Sequence, residues 1–175
     1  TPDGALLLPT GNYDQWDVVP AIPPPPDKRT PDYIGPHTVF FTNLGKAHKM
    51  KAYEIPEATR TAKGTPAVNF LNLMQRERIN AIIPIKEFEE DKYLIGVTKF
   101  GIIKKTSLSN FDTNRKAGLI AINLKPGDEL VGIKQTSGTD NVIIVTKNGK
   151  CICFSEDDVR PMGRISGGVR AIKLE

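Results

Sequence analysis

Basic residues recur at three similar places in this sequence, each time between two glycines. The runs are R-T-A-K at 60–63, N-R-K-A at 114–117 and R-P-M-G-R-I-S-G at 160–167. The glycines on either side are Gly45 and Gly64, Gly101 and Gly118, and Gly149 and Gly168. Cations repeated along a surface can neutralise the phosphates of a nucleic-acid backbone, which releases counterions and needs no base contacts.

The cations predicted to do this lie in these runs and on the strands beside them. Lys49 and Lys51 alternate with Met50 and Ala52, which puts both lysines on one face of a strand. The complete set of predicted DNA-binding residues is Lys49, Lys51, Arg60, Lys63, Lys104, Lys105, Arg115, Lys116, Arg160, Arg164 and Arg170.

Motifs for catalysis are not found in the sequence. His37 and His48 are its two histidines, with no Ser or Cys elbow and no H-E-x-x-H spacing. Asp157 and Asp158 are adjacent but no calcium-loop pattern follows them, and no glycine-rich phosphate loop is present. The sequence therefore predicts a binding module without catalytic residues, metal or cofactor.

Two cysteines, Cys151 and Cys153, stand two apart on a predicted strand and so share a face. Without further Cys or His nearby they do not form a metal site, and they are predicted to be reduced and buried or half-buried. No apolar run approaches the roughly 20 residues that span a bilayer, and no signal peptide opens the chain. The predicted compartment is the cytoplasm.

The elements that position the basic runs are short strands. Between 93 and 135, apolar runs at 93–98, 102–106, 119–124 and 130–135 predict four strands. Turns at 99–101 and 126–128 predict that they pair as two hairpins, joined by the basic loop. In the preceding repeat, strands are predicted at 39–42, 46–53, 66–73 and 79–85, and the acidic stretch 87–91 is predicted to be an exposed connection.

The same unit recurs along the chain. Thr-x-x-Gly ends at Gly45, Gly101 and Gly149, which are 56 and 48 residues apart. A period near 50 residues with four strands is typical of a β-propeller blade, and blades need neighbours to cover their faces. The predicted fold is all-β, with about two and a half propeller-type or pinwheel-type blades in repeats at 38–90, 91–140 and 141–175. The third repeat has strands at 142–146, 151–154 and 169–174 and lacks a fourth.

Residues 1–37 differ from the repeats. They hold nine of the 14 prolines and a net charge of −3, whereas 38–175 carries +7. The tetraproline at 23–26 favours a polyproline II linker, or a ligand of a proline-binding module. Runs at 5–8 and 16–19 could pair as a hairpin. Because open sheet edges invite pairing, this segment or a second copy of the chain is expected to cover them, with a slight preference for a homodimer formed by edge-strand exchange.

Several longer stretches resemble the C-terminal domain of the DNA gyrase A protein. They are F-F-T-N-L-G-K, K-A-Y-E-I-P-E-A, G-I-I-K-K-T-S-L-S-N-F, R-K-A-G-L-I-A-I-N-L, N-V-I-I-V-T-K-N-G-K and E-D-D-V-R-P-M-G-R. The resemblance covers about residues 39–174. The Q-R-R-G-G-K-G box of that family has no match here, and R-T-A-K-G at 60–64 and R-K-A-G at 115–118 stand as its counterparts in later blades.

The resemblance implies a pinwheel-like propeller, usually of six blades, that wraps duplex DNA around a basic perimeter. Wrapping in that family presents a crossed DNA segment to the cleavage core and supports negative supercoiling. It implies as partners duplex DNA, the breakage-reunion core and the ATPase subunit. Two alternatives stay open: the related domain of topoisomerase IV, or a protein-interaction scaffold that docks through the Pro-rich segment.

Overall fold

The structure, a computed structural model, describes residues 36–59, 61–115 and 117–174. Within these residues the fold is all-β, with short 3-10 helices between strands. The strands are β1 (His37–Thr42), β2 (Lys46–Lys51), β3 (Ile79–Ile85), β4 (Tyr93–Thr98), β5 (Ile102–Ser107), β6 (Leu119–Ile120), β7 (Leu130–Thr136), β8 (Asn141–Val145), β9 (Cys151–Ser155) and β10 (Val169–Arg170). The predicted hairpin at 5–8 and 16–19 and the tetraproline rod at 23–26 lie outside the described residues.

The Thr-x-x-Gly repeats form the turns that start each blade. Gly45, Gly101 and Gly149 have φ values of 72°, 75° and 79°, a backbone region that glycine adopts without strain. Each glycine amide donates to the threonine carbonyl at 3.0 Å. Each threonine hydroxyl accepts from the amide four residues later, at 3.3 Å from Lys46, 3.3 Å from Ile102 and 3.0 Å from Lys150. The turn thus requires both residue types, which explains why both recur.

Strands are exchanged between consecutive repeats. One antiparallel sheet has the order β3-β1-β2-β6 and the next has the order β10-β5-β4-β7. The fourth strand of each sheet therefore comes from the following repeat. The predicted pairing of 119–124 with 130–135 is wrong, because β6 pairs with β2 and β7 pairs with β4. The predicted hairpin of β4 and β5 is confirmed.

The exchanged strands are short because the chain soon leaves the ladder. The amides of Ala121 and Ile122 both donate to the carbonyl of Gly45, at 2.8 and 3.2 Å. Ala171 and Ile172 donate to Gly101 in the same way, at 2.9 and 3.3 Å. Strands predicted at 119–124 and 169–174 are thus two residues long, and each ends on a turn of the preceding repeat.

The strand predicted at 66–73 is a 3-10 helix instead, at Ala67–Asn69. Ala67 and Leu71 are buried against Phe40 of the same repeat. In the described part of the chain no earlier blade precedes this segment, so it packs on its own sheet. The acidic stretch 87–91 is a connection between blades, as predicted, with only Phe88 half-buried.

The core lies between consecutive blades. Val39 and Phe41 of β1 pack against Leu94, Phe111 and other apolar residues of the second repeat. The second blade presents the equivalent face to the third repeat, where Val142, Ile144, Phe154 and Val159 cover it. This burial of one face on the next repeat is what a propeller-type array requires.

The third repeat is a two-stranded sheet of β8 and β9 in the described residues. Its inner face packs on the second blade, and its outer face exposes Ile143, Val145 and both cysteines. Cys151 and Cys153 are free thiols, as predicted, but their predicted burial is wrong. Counted from the Thr-x-x-Gly turn, Cys151 takes the position that Ala47 and Ile103 occupy in the other blades, where a following repeat buries it.

Candidate nucleic-acid interface

Two of the basic runs lead directly into the exchanged strands. Loop residues 113–115 and 117–118 precede β6, and the loop 160–168 precedes β10. β6 and β10 are edge strands, each next to the second strand of the preceding blade. Consecutive repeats therefore deliver their basic loops to the same edge of consecutive sheets.

The opposite edges, β3 and β7, converge. The Asn80 side-chain amide on β3 donates to the carbonyl of Leu130, where β7 begins. The amide of Leu130 donates to the carbonyl of Asn43 at 2.9 Å. Since β3 and β7 meet, they form the inner edges of the two blades, and β6 and β10 form the outer ones. We call the edge made by β6, β10 and the loop residues 113–115, 117–118 and 160–168 the rim.

Gly118 and Gly168, the last residues of the two loops, lie in close contact with the preceding blade. A Cβ on Gly118 would lie 2.7 Å from Cε1 of His48, and a Cβ on Gly168 would lie 2.5 Å from the carbonyl oxygen of Ile103. Their φ values are 79° and 82°. These glycines are required because no side chain fits between loop and sheet at these points.

Predicted binding residues are divided by burial. Those exposed to solvent are Lys51, Lys63, Arg115, Arg160 and Arg170. Arg164 is half-buried. Arg60 and Lys116 lie outside the residues that the structure describes. Arg115, Arg160, Arg164 and Arg170 all belong to the rim or its loops.

Lys49 is held by neighbouring groups. Its Nζ lies 2.5 Å from Oδ1 of Asp112 and 4.5 Å from the centre of the Phe88 ring. The hydrogen bond from Lys49 lowers the pKa of Asp112 below its ordinary value. This lysine ties the first blade to the second repeat, and its ammonium group is largely taken up by that contact.

Lys105 occupies the equivalent position in the second blade and is buried. Its Nζ lies 3.6 Å from Oε1 of Glu156, and it donates to the carbonyls of Gly138 and Glu156, both at 3.3 Å. The Tyr93 ring centre is 4.5 Å away. A phosphate cannot reach an ammonium enclosed in this way, so the prediction that Lys105 contacts DNA is wrong.

Lys104 is buried as well, with 2% of its surface exposed. Its Nζ donates to the carbonyls of Ala121 at 2.7 Å, of Ser166 at 3.1 Å, and of Arg164. Burial, and after it the Arg164 charge, lower the pKa of Lys104 to about 8. The prediction of a direct DNA contact is wrong here too, because all three acceptors belong to the protein.

Arg76 is one of the exposed cations that were not predicted. Arg76, in the turn 74–78, has a φ of 65°, and Gly127 takes the corresponding position in the second repeat with a φ of 80°. Buried Glu77 holds this turn by accepting from the Met74 amide at 2.7 Å and the Thr42 hydroxyl at 2.8 Å. Aligning 74–78 with 125–129 would have found the turn, although not its arginine as a candidate.

The fold and its cationic rim define the chain as a repeat protein of β-propeller blades. A family model described as "DNA gyrase C-terminal domain, beta-propeller" matches residues 37–86, 92–137 and 140–175. The chain belongs to this DNA gyrase C-terminal domain family. Within the described residues, no helix has the length and apolar character needed to cross a membrane.

Similar proteins agree with this assignment. The DNA gyrase A protein of Halalkalibacterium halodurans is 54% identical over 137 residues, which is 78% of this chain and 16% of that protein. A crystal structure of the C-terminal domain of DNA topoisomerase IV superposes with a TM-score of 0.74 at 31% identity, covering 79% of this chain and 43% of that one. A DNA gyrase A C-terminal domain gives 0.64 at 29% identity, covering 79% and 44%. The chain spans about one sixth of the length of the curated relative.

Proposed function

We propose that this chain binds duplex DNA without sequence preference and bends it around the rim, as the wrapping module of a type II topoisomerase. The observation that carries the proposal is the exchange of strands between repeats, which brings successive basic loops to one outer edge. Arg115, Arg160 and Arg170 are exposed there. The net charge of +7 over 38–175 supports the same conclusion.

Backbone binding fits this arrangement better than base readout. A rim of separate loops offers cations at intervals but no continuous helix or ribbon that could enter a groove. Contacts to phosphates require only charge and spacing. Bending follows if DNA touches the rim at consecutive blades, because each blade turns the contact surface relative to the last.

The parent protein is proposed to be a DNA gyrase. The curated relative at 54% identity carries that name, whereas the likeness to the topoisomerase IV domain is at 31% identity. In the parent, which would act in the cytoplasm, the partners would be the breakage-reunion core and the ATPase subunit. We propose no catalytic step within this chain, and its contribution to the parent would be support of negative supercoiling.

The test is the salt dependence of binding to plain duplexes of unrelated sequence, measured by fluorescence anisotropy on the 175-residue chain. About five neutralised phosphates predict a slope of log K against log salt near −4 to −5. The double substitution Arg115→Ala with Arg170→Ala should reduce the magnitude of the slope by about 2. Lys86→Ala, an exposed cation just after the inner strand β3, is the matched control and should change it less.

A flat salt response or a strong preference for one duplex sequence would refute the proposal. An absence of DNA binding would favour the alternative function of a protein-interaction scaffold, in which the Pro-rich segment is the docking element. Binding that persists unchanged in the Arg115 and Arg170 variant would place the DNA elsewhere than on the rim.

We also propose that two copies associate through the third repeat. Among residues 36–59, 61–115 and 117–174, no strand pairs with the free edges of the β8–β9 sheet, and unpaired edges favour strand addition. Light scattering on the full chain should then give twice the monomer mass. A monomer at high concentration would contradict this association without affecting the proposal for DNA.

A further inference from the structure

In the first two repeats, the third residue after the glycine of the Thr-x-x-Gly turn lies beneath the basic loop of the following repeat. Counted from the Thr-x-x-Gly turn, this position holds His48, Lys104 and Ile152. His48 packs under Gly118, and Lys104 donates to carbonyls of the loop 160–168. Ile152 is the apolar counterpart in the third repeat.

We propose that Lys104 is a positioning residue for the rim: its buried ammonium clamps the loop 160–168 in the shape that presents Arg160 and Arg164 to DNA. The effect of the clamp on DNA binding rests on the proposed function, whereas the clamp itself rests on the geometry around Lys104. Lys104 does not touch DNA and acts through the loop.

The clamp joins three segments of chain. Ala121 belongs to the segment after β6, whereas Arg164 and Ser166 belong to the loop of the next repeat. The carbonyl of Ser166 also accepts from the amide of Asn123 at 3.1 Å, and the amide of Met162 donates to the carbonyl of Lys105 at 2.8 Å. The loop is therefore fixed at both ends, and Lys104 supplies the contacts in between.

Burying a charged ammonium group at this place is unfavourable. Its surroundings other than the three carbonyls are uncharged or apolar, apart from the Arg164 side chain, which disfavours a second positive charge. The residues that line the small cavity beside it include Leu94, Gly96, Phe111, Ile122, Leu130 and Ile133. An apolar side chain would suit this cavity, so the presence of the ammonium is best explained by the carbonyls that it holds in place.

The protonated amine has three hydrogens for three carbonyl acceptors, and the neutral amine has two. The pKa of about 8 places the change between these forms near neutral pH. One acceptor then loses its donor, but the cost of burying the charge is removed as well. Because opening the loop would solvate the amine and return its pKa toward 10.5, the closed loop should be favoured over the open one as pH rises through about 8. The charged groups near Lys104 in the described structure are those named above, so Arg164 is the one whose charge adds to this effect.

The test compares the 175-residue chain with Lys104→Met, Lys104→Arg and the exposed control Lys86→Met. Hydrogen exchange should quicken at the amides of Asn123 and Ser166 in Lys104→Met alone. Its affinity for a plain duplex should fall about fivefold to tenfold, the effect of losing about one phosphate contact near 0.1 M salt. Lys104→Arg should keep the affinity and lose the rise in protection of the loop amides that the unsubstituted chain shows as pH rises through about 8, since arginine stays charged.

Each outcome decides the inference. Unchanged exchange in Lys104→Met, with DNA binding intact, overturns the clamp while leaving the proposed function standing. Faster exchange with unchanged affinity overturns the role of the clamp in DNA binding. An unsubstituted chain that binds no DNA overturns the proposed function and the positioning role together. If Lys104→Met fails to fold, the pH profiles of the unsubstituted chain and of Lys104→Arg decide, and identical profiles count against the clamp.

Discussion

Replacing Lys105 by methionine should destabilise the fold because it leaves a carboxylate buried without its cation. Glu156 has no exposed surface, and its two side-chain oxygens have no hydrogen-bond partner in the described structure, so the Lys105 ammonium, 3.6 Å from Oε1, is the group that offsets its charge. Removing one partner of a buried ion pair costs about 3–5 kcal/mol, whereas replacing both by apolar residues costs far less. The free energy of unfolding of Lys105→Met should therefore fall by about 3–5 kcal/mol.

The measurement is urea unfolding followed by far-UV circular dichroism, together with the thermal midpoint. For a chain of this length the expected loss corresponds to a midpoint lower by about 6–20 °C. Lys51→Met is the matched control, because Lys51 lies on the exposed end of β2 and should change the free energy by no more than about 0.5 kcal/mol.

The double variant Lys105→Met with Glu156→Leu completes a thermodynamic cycle. It should be more stable than Lys105→Met alone, since the second change removes the unpaired carboxylate. If Lys105→Met behaves like Lys51→Met, or if the double variant shows the sum of the two single losses, the pair does not stabilise the contact between the second and third repeats. The assignment of Lys105 as a structural residue would then be wrong.

Three further outcomes are expected. Gly118→Ala should lower the free energy of unfolding by more than about 1 kcal/mol, because the φ of Gly118 is 79° and His48 lies 2.7 Å from the new Cβ. Gly163→Ala is the control and should not lower it, because there is open space around Gly163, and equal losses in urea unfolding would contradict this prediction. Since the pKa of Lys104 falls from 10.5 to about 8 on folding, the unfolded chain binds more protons between these values, so stability should rise with pH across this window, by about 3 kcal/mol relative to Lys104→Met. Parallel stability profiles of the two chains would exclude that shift. Cys151 and Cys153 should react with a thiol reagent in the native chain; protection of both until unfolding would show that their face is covered.

Local features of the fold were predictable from the sequence. The Thr-x-x-Gly turns, the hairpin of β4 and β5 and the strand β3 follow from residue types a few positions apart. The pairing of strands between repeats was not predictable, because adjacent apolar runs are expected to pair with each other, as sequential strands do in about two-thirds of cases. Nothing in the residues around Leu119 indicates that its partner is Ala47, in the preceding repeat.

The same limit applies to the candidate site. The I-I-K-K-T-S stretch of β5 shows no alternation, so its two lysines look like surface charges. Their burial depends on acceptors far along the chain, such as the carbonyl of Glu156, 51 residues from Lys105. The exposed cations of the loops were predicted because exposure there is decided by the loop itself, whereas burial in a strand is decided by the next repeat.

Strand exchange also separates the unit of sequence repetition from the unit of folding. The sheet that begins at β1 is closed only by β6, so about 70 residues must follow β2 before it is complete. At about 5–20 residues per second, a chain leaving the ribosome would hold that sheet open for several seconds. Each newly made repeat thus completes the sheet of the preceding repeat, and its own sheet stays incomplete until the next repeat is made. Duplication of a repeat within a gene would therefore lengthen the array without leaving any internal blade without its fourth strand.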